Sequence, residues 1–403
     1  MTKQILGFFA SDIVAKGVSA ALIPLYSYLL GAEELGQFSE WFSIYSGIVA
    51  VMSFGIPTYL LVLLSAHASE KHSIVEQTSS LLYEVYSVAV PLIVCLSMWK
   101  GKFFYGFTIS IAAVSFSIVN YLESILRYDN KTKQYLILQI ASTACTNVVP
   151  LVFVFFTASW LSRALGFTIS VAALAVAIVG MGLVACKHVK IPSEFRSDAF
   201  KFGLPVVLIS AISWLKLGID VQLLKGYSGY KESGILFFSF QIISIVTILA
   251  ASLNRASTTD FLRFLSAGEH GDFVKLFTKM MLLLSLMTML VVIGTMMLTK
   301  TYLKEFDSSA SLILPMAIGS VFYGAGQFIS VFFLYHKKTY LLTLCIGLSS
   351  TLHPFISYYI IGELGWMRIG YSYLISHTLF LVMVLYTSKK LTSFSFRPKS
   401  VYS

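Results

Sequence analysis

Residues 5–36 read ILGFFASDIVAKGVSAALIPLYSYLLGAEELG, an apolar run that ends in a turn with two glutamates between two glycines. A membrane-spanning helix needs about 20 mostly apolar residues, so the run 5–30 is long enough to cross a bilayer. Asp12 and Lys16 interrupt the run four residues apart, hence on one helical face. Because the segment lacks a clear small-residue cleavage site, we expect it to stay as the first helix rather than be removed as a signal peptide.

Similar apolar runs recur along the whole chain and predict about twelve transmembrane helices, with eleven to thirteen compatible with the pattern. The twelve runs are residues 5–30, 38–66, 81–98, 103–126, 135–157, 164–185, 200–225, 235–255, 276–299, 310–335, 341–361 and 369–387. The sequence therefore predicts an all-α integral membrane protein.

Composition agrees with this fold class. Of the 403 residues 57% are hydrophobic and only 12% are charged, against about 25% charged residues in soluble domains. The connecting segments are too short for a large extramembrane domain. The formal net charge of +10 comes from short loops, where basic residues orient helices, so we do not expect nucleic acid as a partner.

Lys and Arg residues predict the orientation, because short basic loops resist translocation. With the N-terminus inside, nineteen of the 29 Lys and Arg residues fall on the cytoplasmic side, eight fall outside, and Lys16 and Lys216 lie within spans. Both termini are therefore expected in the cytoplasm. The inside segment 254–275 contains Phe261, Leu262, Phe264 and Leu265, and it is equally compatible with an amphipathic surface segment or a solvated loop.

A weak internal repeat suggests two lobes. The turn Gly31-Ala32-Glu33-Glu34-Leu35-Gly36 after the first span has a counterpart after the seventh, where Gly226 is followed by Lys231-Glu232-Ser233-Gly234. A six-plus-six repeat would place the two turns at these positions. We therefore predict two pseudo-symmetric six-helix lobes, residues 1–199 with helices 1–6 and residues 200–403 with helices 7–12 and a short cytoplasmic tail.

The motifs resemble the polysaccharide transporter family of the multidrug, oligosaccharidyl-lipid and polysaccharide exporter superfamily, and within it the Wzx-type O-antigen flippases. The resemblance is carried by residues 28–38 (YLLGAEELGQF), 214–220 (WLKLGID), 126–128 with Lys131, and 362–366 (GELGW). Their order and spacing match along nearly the whole chain. The chain departs from the family in residues 351–354, which read TLHP where an Asn-rich segment is usual, and in Val221, where Arg commonly follows the Asp.

The resemblance implies a flippase of a bacterial inner membrane. It would move an undecaprenyl-diphosphate-linked oligosaccharide, an O-antigen or capsule repeat unit, from the cytoplasmic to the periplasmic leaflet by alternating access. Membrane lipids and a polysaccharide polymerase with its chain-length machinery would be its further partners. The alternatives are a cation-coupled multidrug exporter of the same superfamily and a peptidoglycan lipid-precursor flippase.

The residues expected to bind the diphosphate are basic and lie in or beside spans. An ionisable group inside a span costs roughly 2.5 to 3.5 kcal/mol on insertion scales, so it needs a partner or a watery cavity. Lys16 and Lys216 meet this description, and Asp12 and Asp220, four residues from each lysine, are expected to pair with them or to exchange a proton or sodium ion. An intrahelical salt bridge without a transport role is the alternative for each pair.

Further charged candidates lie at the predicted cytoplasmic ends of spans. Arg127 follows Glu123 by four residues and Arg255 follows Asn254, so each arginine could receive a diphosphate from inside. A surface ion pair is the favoured alternative for Glu123 and Arg127. His353 and His377 are the embedded histidines, and no ligand spacing joins them, so a metal site is not expected.

Several function classes lack their motifs in this chain. There is no GxxxxGK[ST] loop, so ATP is not expected to be hydrolysed, and no GxSxG or paired carboxylates, so the sequence predicts a transporter rather than an enzyme. No cofactor is expected. The energy would come from a proton or sodium gradient or from consumption of the product downstream.

Overall fold

The computed structural model describes residues 2–66, 68–184, 189–336 and 338–391, without the side chains of residues 2–16, 65, 66, 68, 209, 213, 215, 217, 256 and 259. All regular structure in these ranges is helical. The α-helices are α1 (Thr2–Met52), α2 (Ile56–Ala66), α3 (Lys71–Trp99), α4 (Phe103–Tyr128), α5 (Thr132–Thr143), α6 (Val149–Thr157), α7 (Trp160–Gly180), α8 (Ser193–Tyr227), α9 (Tyr230–Ala267), α10 (His270–Thr301), α11 (Ser309–Ile329), α12 (Val331–Tyr335), α13 (Thr339–Leu364) and α14 (Gly370–Leu391).

These helices account for all twelve predicted spans. In the described residues, ten helical stretches are long and apolar enough to cross a membrane. The first of them, Gly17–Leu64, is broken at Gly31 and so contains two spans, and α8 coincides with the remaining apolar run at 200–225. A π-helical turn, Ala144–Val148, joins α5 to α6 within the fifth span. The protein is therefore a multi-pass, all-helical membrane protein; the cytoplasmic placement of its termini stays a prediction.

The first two spans both belong to α1, and a kink at Gly31 separates them. Gly31 has φ 68° and ψ 178°, a backbone conformation that is essentially restricted to glycine. Three residues later, the Oε2 atom of Glu34 accepts a hydrogen bond of 2.6 Å from the backbone N–H of Trp160, one of the N–H groups that a helix N-terminus leaves unsatisfied. The break is thereby fixed against the start of α7.

The helices form two compact units, Met1–Trp214 and Leu215–Ser403. The division falls within α8, after the boundary at 199/200 that the sequence suggests, because the first half of α8 packs in the first unit. There Tyr59 contacts Phe202 with ring centroids 5.2 Å apart, and Arg196 pairs with Glu84 at 2.9 Å. The six-helix symmetry of the lobes stays a prediction.

Each unit has a central helix. In the first unit α4 packs against α1, α2, α3, α5 and α7, and in the second unit α11 packs against α9, α10 and α14. Small residues allow this close approach, as is common where helices meet inside a membrane. A Cβ at Gly319 of α11 would come within 3.0 Å of the Cα of Leu374 in α14, so the backbones of these two helices are nearly in contact.

The segment 254–275 is neither a surface segment nor a solvated loop. Helix α9 continues through it to Ala267, and α10 begins at His270. Phe261 and Leu265 are buried, and the Phe261 ring lies 4.8 Å from that of Phe273. Both sequence interpretations were wrong because the apolar residues at 261–265 continue the inward face of a long helix.

Candidate functional site

Two of the predicted residues, Lys216 and Asp220, lie one turn apart on α8 in the second unit. The Asp220 side chain is fully buried, and its Oδ2 atom lies 2.9 Å from Nε2 of His353 on α13. No ion pair joins Lys216 to a carboxylate among the described residues, although Lys216 is partly buried. The expected pairing of Lys216 with Asp220 is therefore replaced by a pair between α8 and α13.

His353 is held on both ring nitrogens. Its Nδ1 atom lies 2.9 Å from Oγ of Ser376 on α14, and Oγ of Ser357, one turn further along α13, lies 3.3 Å from Nε2. The Tyr373 ring meets the imidazole edge to face at a centroid distance of 4.9 Å. Asp220, His353, Ser357 and Ser376 all have 0% exposed surface, so three helices meet in one buried polar network.

Local sequence explains why the helices can meet here. The facing sides of α13 and α14 carry a run of small hydroxyl side chains, which bring helix backbones close together in a membrane. The buried members on the two helices are Ser349, Ser350, Ser357, Ser372, Ser376 and Ser388. An imidazole inserted between such helices is close enough to bond to both neighbours at once.

Aromatic rings enclose the network on its other sides. Tyr373 packs against Phe240 of α9 at 4.9 Å, and His377 lies between the rings of Tyr373, at 5.3 Å, and Tyr323 of α11, at 5.1 Å. The buried Oδ1 atom of Asp220 and Nδ1 atom of His377 have no hydrogen-bond partner among the described residues. The network thus contains unused acceptor capacity.

The contacts define which groups donate and which accept hydrogen bonds in each protonation state of the pair. With Asp220 ionised, Nε2–H of His353 donates to the carboxylate and Nδ1 accepts from the Ser376 hydroxyl. After uptake of one proton the imidazole donates from both nitrogens, and the Ser376 oxygen becomes the acceptor. A hydroxyl can both donate and accept, so Ser376 can bond to Nδ1 in either state.

The Ser376–His353–Asp220 order is the connectivity of a hydrolase triad, yet its setting does not suit hydrolysis. A nucleophile must come within hydrogen-bond reach of a substrate group. Since Ser376 has no exposed surface, a substrate carbonyl cannot approach its Oγ atom. Among the described residues, no group of three or more His, Cys, Asp or Glu side chains could hold a metal ion.

The remaining candidates lie apart from this network. Glu123 and Arg127 form an ion pair of 3.8 Å at the end of α4, and Nη2 of Arg127 also donates to the Tyr135 hydroxyl at 2.5 Å. These contacts match the favoured surface ion pair. Arg255 is exposed on α9. Asp12 and Lys16 belong to α1, but their side chains lie outside the described residues.

Next to Glu123 and Arg127, the turn between α4 and α5 is held by a second charge cluster. Asp129 pairs with Lys71 of α3 and, at 3.3 Å, with Lys131. Partial burial of the carboxyl raises its pKa, but the hydrogen bonds and charges of the two lysines outweigh this and hold the pKa of Asp129 below its ordinary value. This carboxylate therefore ties α3 to the turn at any pH near neutral.

Among the described residues of the first unit, Arg163 is a buried cation. Arg163, in the first turn of α7, is only 7% exposed and lies between the rings of Tyr26 and Phe38, 3.8 and 3.9 Å from their centroids. Such contacts attract a guanidinium to the faces of the rings. Arg163 thus packs on both sides of the Gly31 break and stabilises it.

His353 and Ser376 are the functional candidates that sequence reasoning missed. The available signal was a histidine directly before Pro354 within an apolar run. The sequence predicts that His353 is embedded, but no ligand spacing joins it to a second residue nearby in the chain. Its partner Asp220 is 133 positions away, so only the helix packing brings the two together.

No family model matches this chain, and no curated protein matches it by sequence. Solved structures match over nearly its whole length. An inward-facing multidrug resistance MATE family transporter of the MOP superfamily is similar with a TM-score of 0.72 and 12% identity, over 97% of this chain and 94% of that one. The lipid II flippase MurJ in an inward closed conformation has a TM-score of 0.69 and 15% identity, over 95% and 87%. A MATE structure in complex with MaL6 has a TM-score of 0.63 and 12% identity, over 97% of both chains. The chain therefore has the fold of these solved transporters.

Proposed function

We propose that this chain is a flippase of a bacterial inner membrane that moves an oligosaccharide linked to undecaprenyl diphosphate, such as an O-antigen or capsule repeat unit, between leaflets by alternating access. The observation that carries the proposal is Lys216, a partly buried cation within a span whose neighbouring carboxylate, Asp220, is bound by His353 instead. The fold shared with a lipid II flippase supports it.

The chemistry of the substrate explains why such a lysine is needed. A sugar hydroxyl moved into hydrocarbon without a hydrogen-bond partner costs on the order of 4 to 8 kcal/mol, so a glycan requires a hydrated path. Its diphosphate also requires positive charge along that path. A lysine already paired with a carboxylate would offer little net positive charge to a diphosphate. Lys216 has no such ion pair among the described residues.

We assign the energy coupling to the buried Asp220–His353 pair and to a proton rather than a sodium ion. Hard metal cations prefer oxygen ligands, whereas one carboxylate oxygen of Asp220 faces an imidazole nitrogen at 2.9 Å. A proton fits the same pair without any further ligand. Functional cooperation with a polysaccharide polymerase and chain-length machinery would follow from this substrate.

A multidrug exporter is the second candidate function. The similarity to a multidrug resistance MATE family transporter favours it, as does a buried acidic residue that could bind a cation. It would leave the cationic Lys216 without a role. A peptidoglycan-precursor flippase is a third candidate because of the similarity to MurJ.

The proposal is tested by deleting the gene in its host and measuring both surface glycan and lipid-linked repeat units on the cytoplasmic face. Complementation by Lys216→Ala should reduce glycan export by about tenfold or more, since a hydrogen bond to a charged group contributes about 1.5–3 kcal/mol. Lys216→Arg should retain part of the activity because it retains the charge.

Lys201→Ala is the matched control, because Lys201 lies on the same helix but is 76% exposed and paired with Asp198. It should export normally. Normal export by Lys216→Ala at wild-type protein levels would remove Lys216 from the substrate path. Intact surface glycan in the deletion strain, together with altered drug sensitivity, would favour the exporter.

A further inference from the structure

A groove of about 660 Å³ runs along the second unit between α13 and α14. Its walls are apolar and aromatic, with Phe355, Tyr359 and Leu364 on α13 and Tyr371 and Ile375 on α14. These five side chains are 46% to 69% exposed. In a membrane protein such a surface faces lipid, so the concave seam is open to a hydrocarbon chain.

The length of the groove corresponds to one leaflet. From Leu364 to Phe355 the α13 wall extends over nine residues, or about 14 Å at 1.5 Å per residue. One leaflet of a hydrocarbon core about 30 Å thick has nearly the same depth. The groove therefore reaches from one membrane surface to about the midplane, as a single acyl chain does.

A cation lies at the interfacial end of the groove. Arg368 is in the short helical turn Trp366–Arg368 that joins α13 to α14, it lines the groove, and it is exposed. No carboxylate lies within ion-pair distance of it among the described residues. A guanidinium matches phosphate oxygens in a two-point contact, and the Tyr371 hydroxyl on the neighbouring wall is a second donor near the same surface.

A second groove in the molecule lacks this combination. In the first unit, α3, α4 and α7 enclose a groove of about 670 Å³, which is lined by apolar side chains with Tyr83, Ser80 and Ser115. No charged side chain lines it. It offers space for a chain but nothing that would select a head group.

We propose that the groove between α13 and α14 is a binding site for an anionic phospholipid, with the phosphate on Arg368 and one acyl chain along Tyr359 and Phe355. The lipid belongs to the leaflet on the side of Arg368, which the charge distribution predicts to be the outer one. A basic side chain near the membrane surface increases the binding constant of an anionic head group by about a factor of five, which is equivalent to about 1 kcal/mol. The site requires only the fold and not the proposed flippase activity.

The test is native mass spectrometry of the purified full-length protein in competition between phosphatidylglycerol and phosphatidylethanolamine with identical chains. Wild type should retain about five times as much phosphatidylglycerol as phosphatidylethanolamine. Arg368→Gln should reduce this ratio to near one. Lys304→Gln, an exposed basic residue in another turn of the same predicted face, should leave the ratio unchanged.

A groove-filling variant separates the groove from the surface charge. Ile375→Trp retains Arg368 and should weaken retention of both lipids. Equal retention by wild type and Ile375→Trp would show that no chain lies in the groove and would overturn the proposal. An unchanged preference in Arg368→Gln, or preferential retention of polyprenyl phosphate over phosphatidylglycerol, would also contradict it.

Discussion

Asp220 and His353 show how a charge is accommodated inside this protein. Burying an ionised carboxylate alone is very costly, and a buried pair recovers that cost only with good geometry and further hydrogen bonds. Here one Asp220 oxygen contacts Nε2 of His353 at 2.9 Å, and Ser376 satisfies the other ring nitrogen at 2.9 Å. The pair is therefore expected to matter most when only one member is removed.

Single and double substitutions should reveal this coupling. We expect His353→Ala to lower the free energy of unfolding by about 3–5 kcal/mol, because it leaves a buried carboxylate without its partner. Asp220→Ala should cost less, about 1–3 kcal/mol, because the neutral imidazole loses its carboxylate acceptor and Nε2 keeps only the 3.3 Å contact with Ser357. The double variant should lose less than the sum. Thermal unfolding in detergent measures all three, and additive losses would show that the residues are not coupled.

The candidate site was only half visible in the sequence. Asp220 could be identified because a carboxylate within an apolar span is rare and needs a partner or a watery cavity. Its partner was assigned to Lys216, which is one turn away on the same helical face. Pairing between helices depends on their packing register, and nothing in a single sequence records that α13 places His353 opposite Asp220.

At the scale of helices, hydropathy located every span, but several helices extend beyond the apolar run. Helix α3 begins at Lys71, although the apolar run begins at 81, and α9 extends to Ala267, although the run ends at 255. Apolar runs mark the part of a helix that lies in hydrocarbon. The backbone hydrogen bonds continue beyond it, into segments whose polar residues lower the mean hydropathy.

The break in α1 at Gly31 is an element that only one residue type allows. Gly31→Ala should lower the free energy of unfolding by about 1–3 kcal/mol, because φ 68° with ψ 178° is strained for any residue with a Cβ. Gly17→Ala is the control on the same helix, since no atom lies within 4 Å of an added Cβ; alanine there should be neutral or stabilising. Thermal unfolding of both variants measures the difference. Equal melting temperatures would show that the conformation at residue 31 does not require glycine.

At the scale of the whole molecule, the fold is conserved at 12–15% identity with the solved transporters. Such a fold cannot depend on many individual side chains. It depends on twelve apolar runs of sufficient length, on breaks such as Gly31, and on small residues such as Gly319 where helices meet. These features are visible in a sequence, which is why the fold was predictable when the pairing of Asp220 was not.

The orientation of the molecule is the remaining whole-chain prediction, and it rests on the excess of basic residues in the loops assigned to the cytoplasm. In a variant lacking the four native cysteines, Lys133→Cys, at the start of α5, and Lys231→Cys, at the start of α9, place single exposed thiols on opposite predicted faces. A membrane-impermeant maleimide should label only Lys231→Cys in intact spheroplasts and both variants after permeabilisation, which is the control for reactivity. Labelling of Lys133→Cys alone in intact spheroplasts would show that the orientation is the reverse of the predicted one. It would also move the phospholipid groove at Arg368 to the inner leaflet, where the same arginine would meet the cytoplasmic pool of anionic lipid.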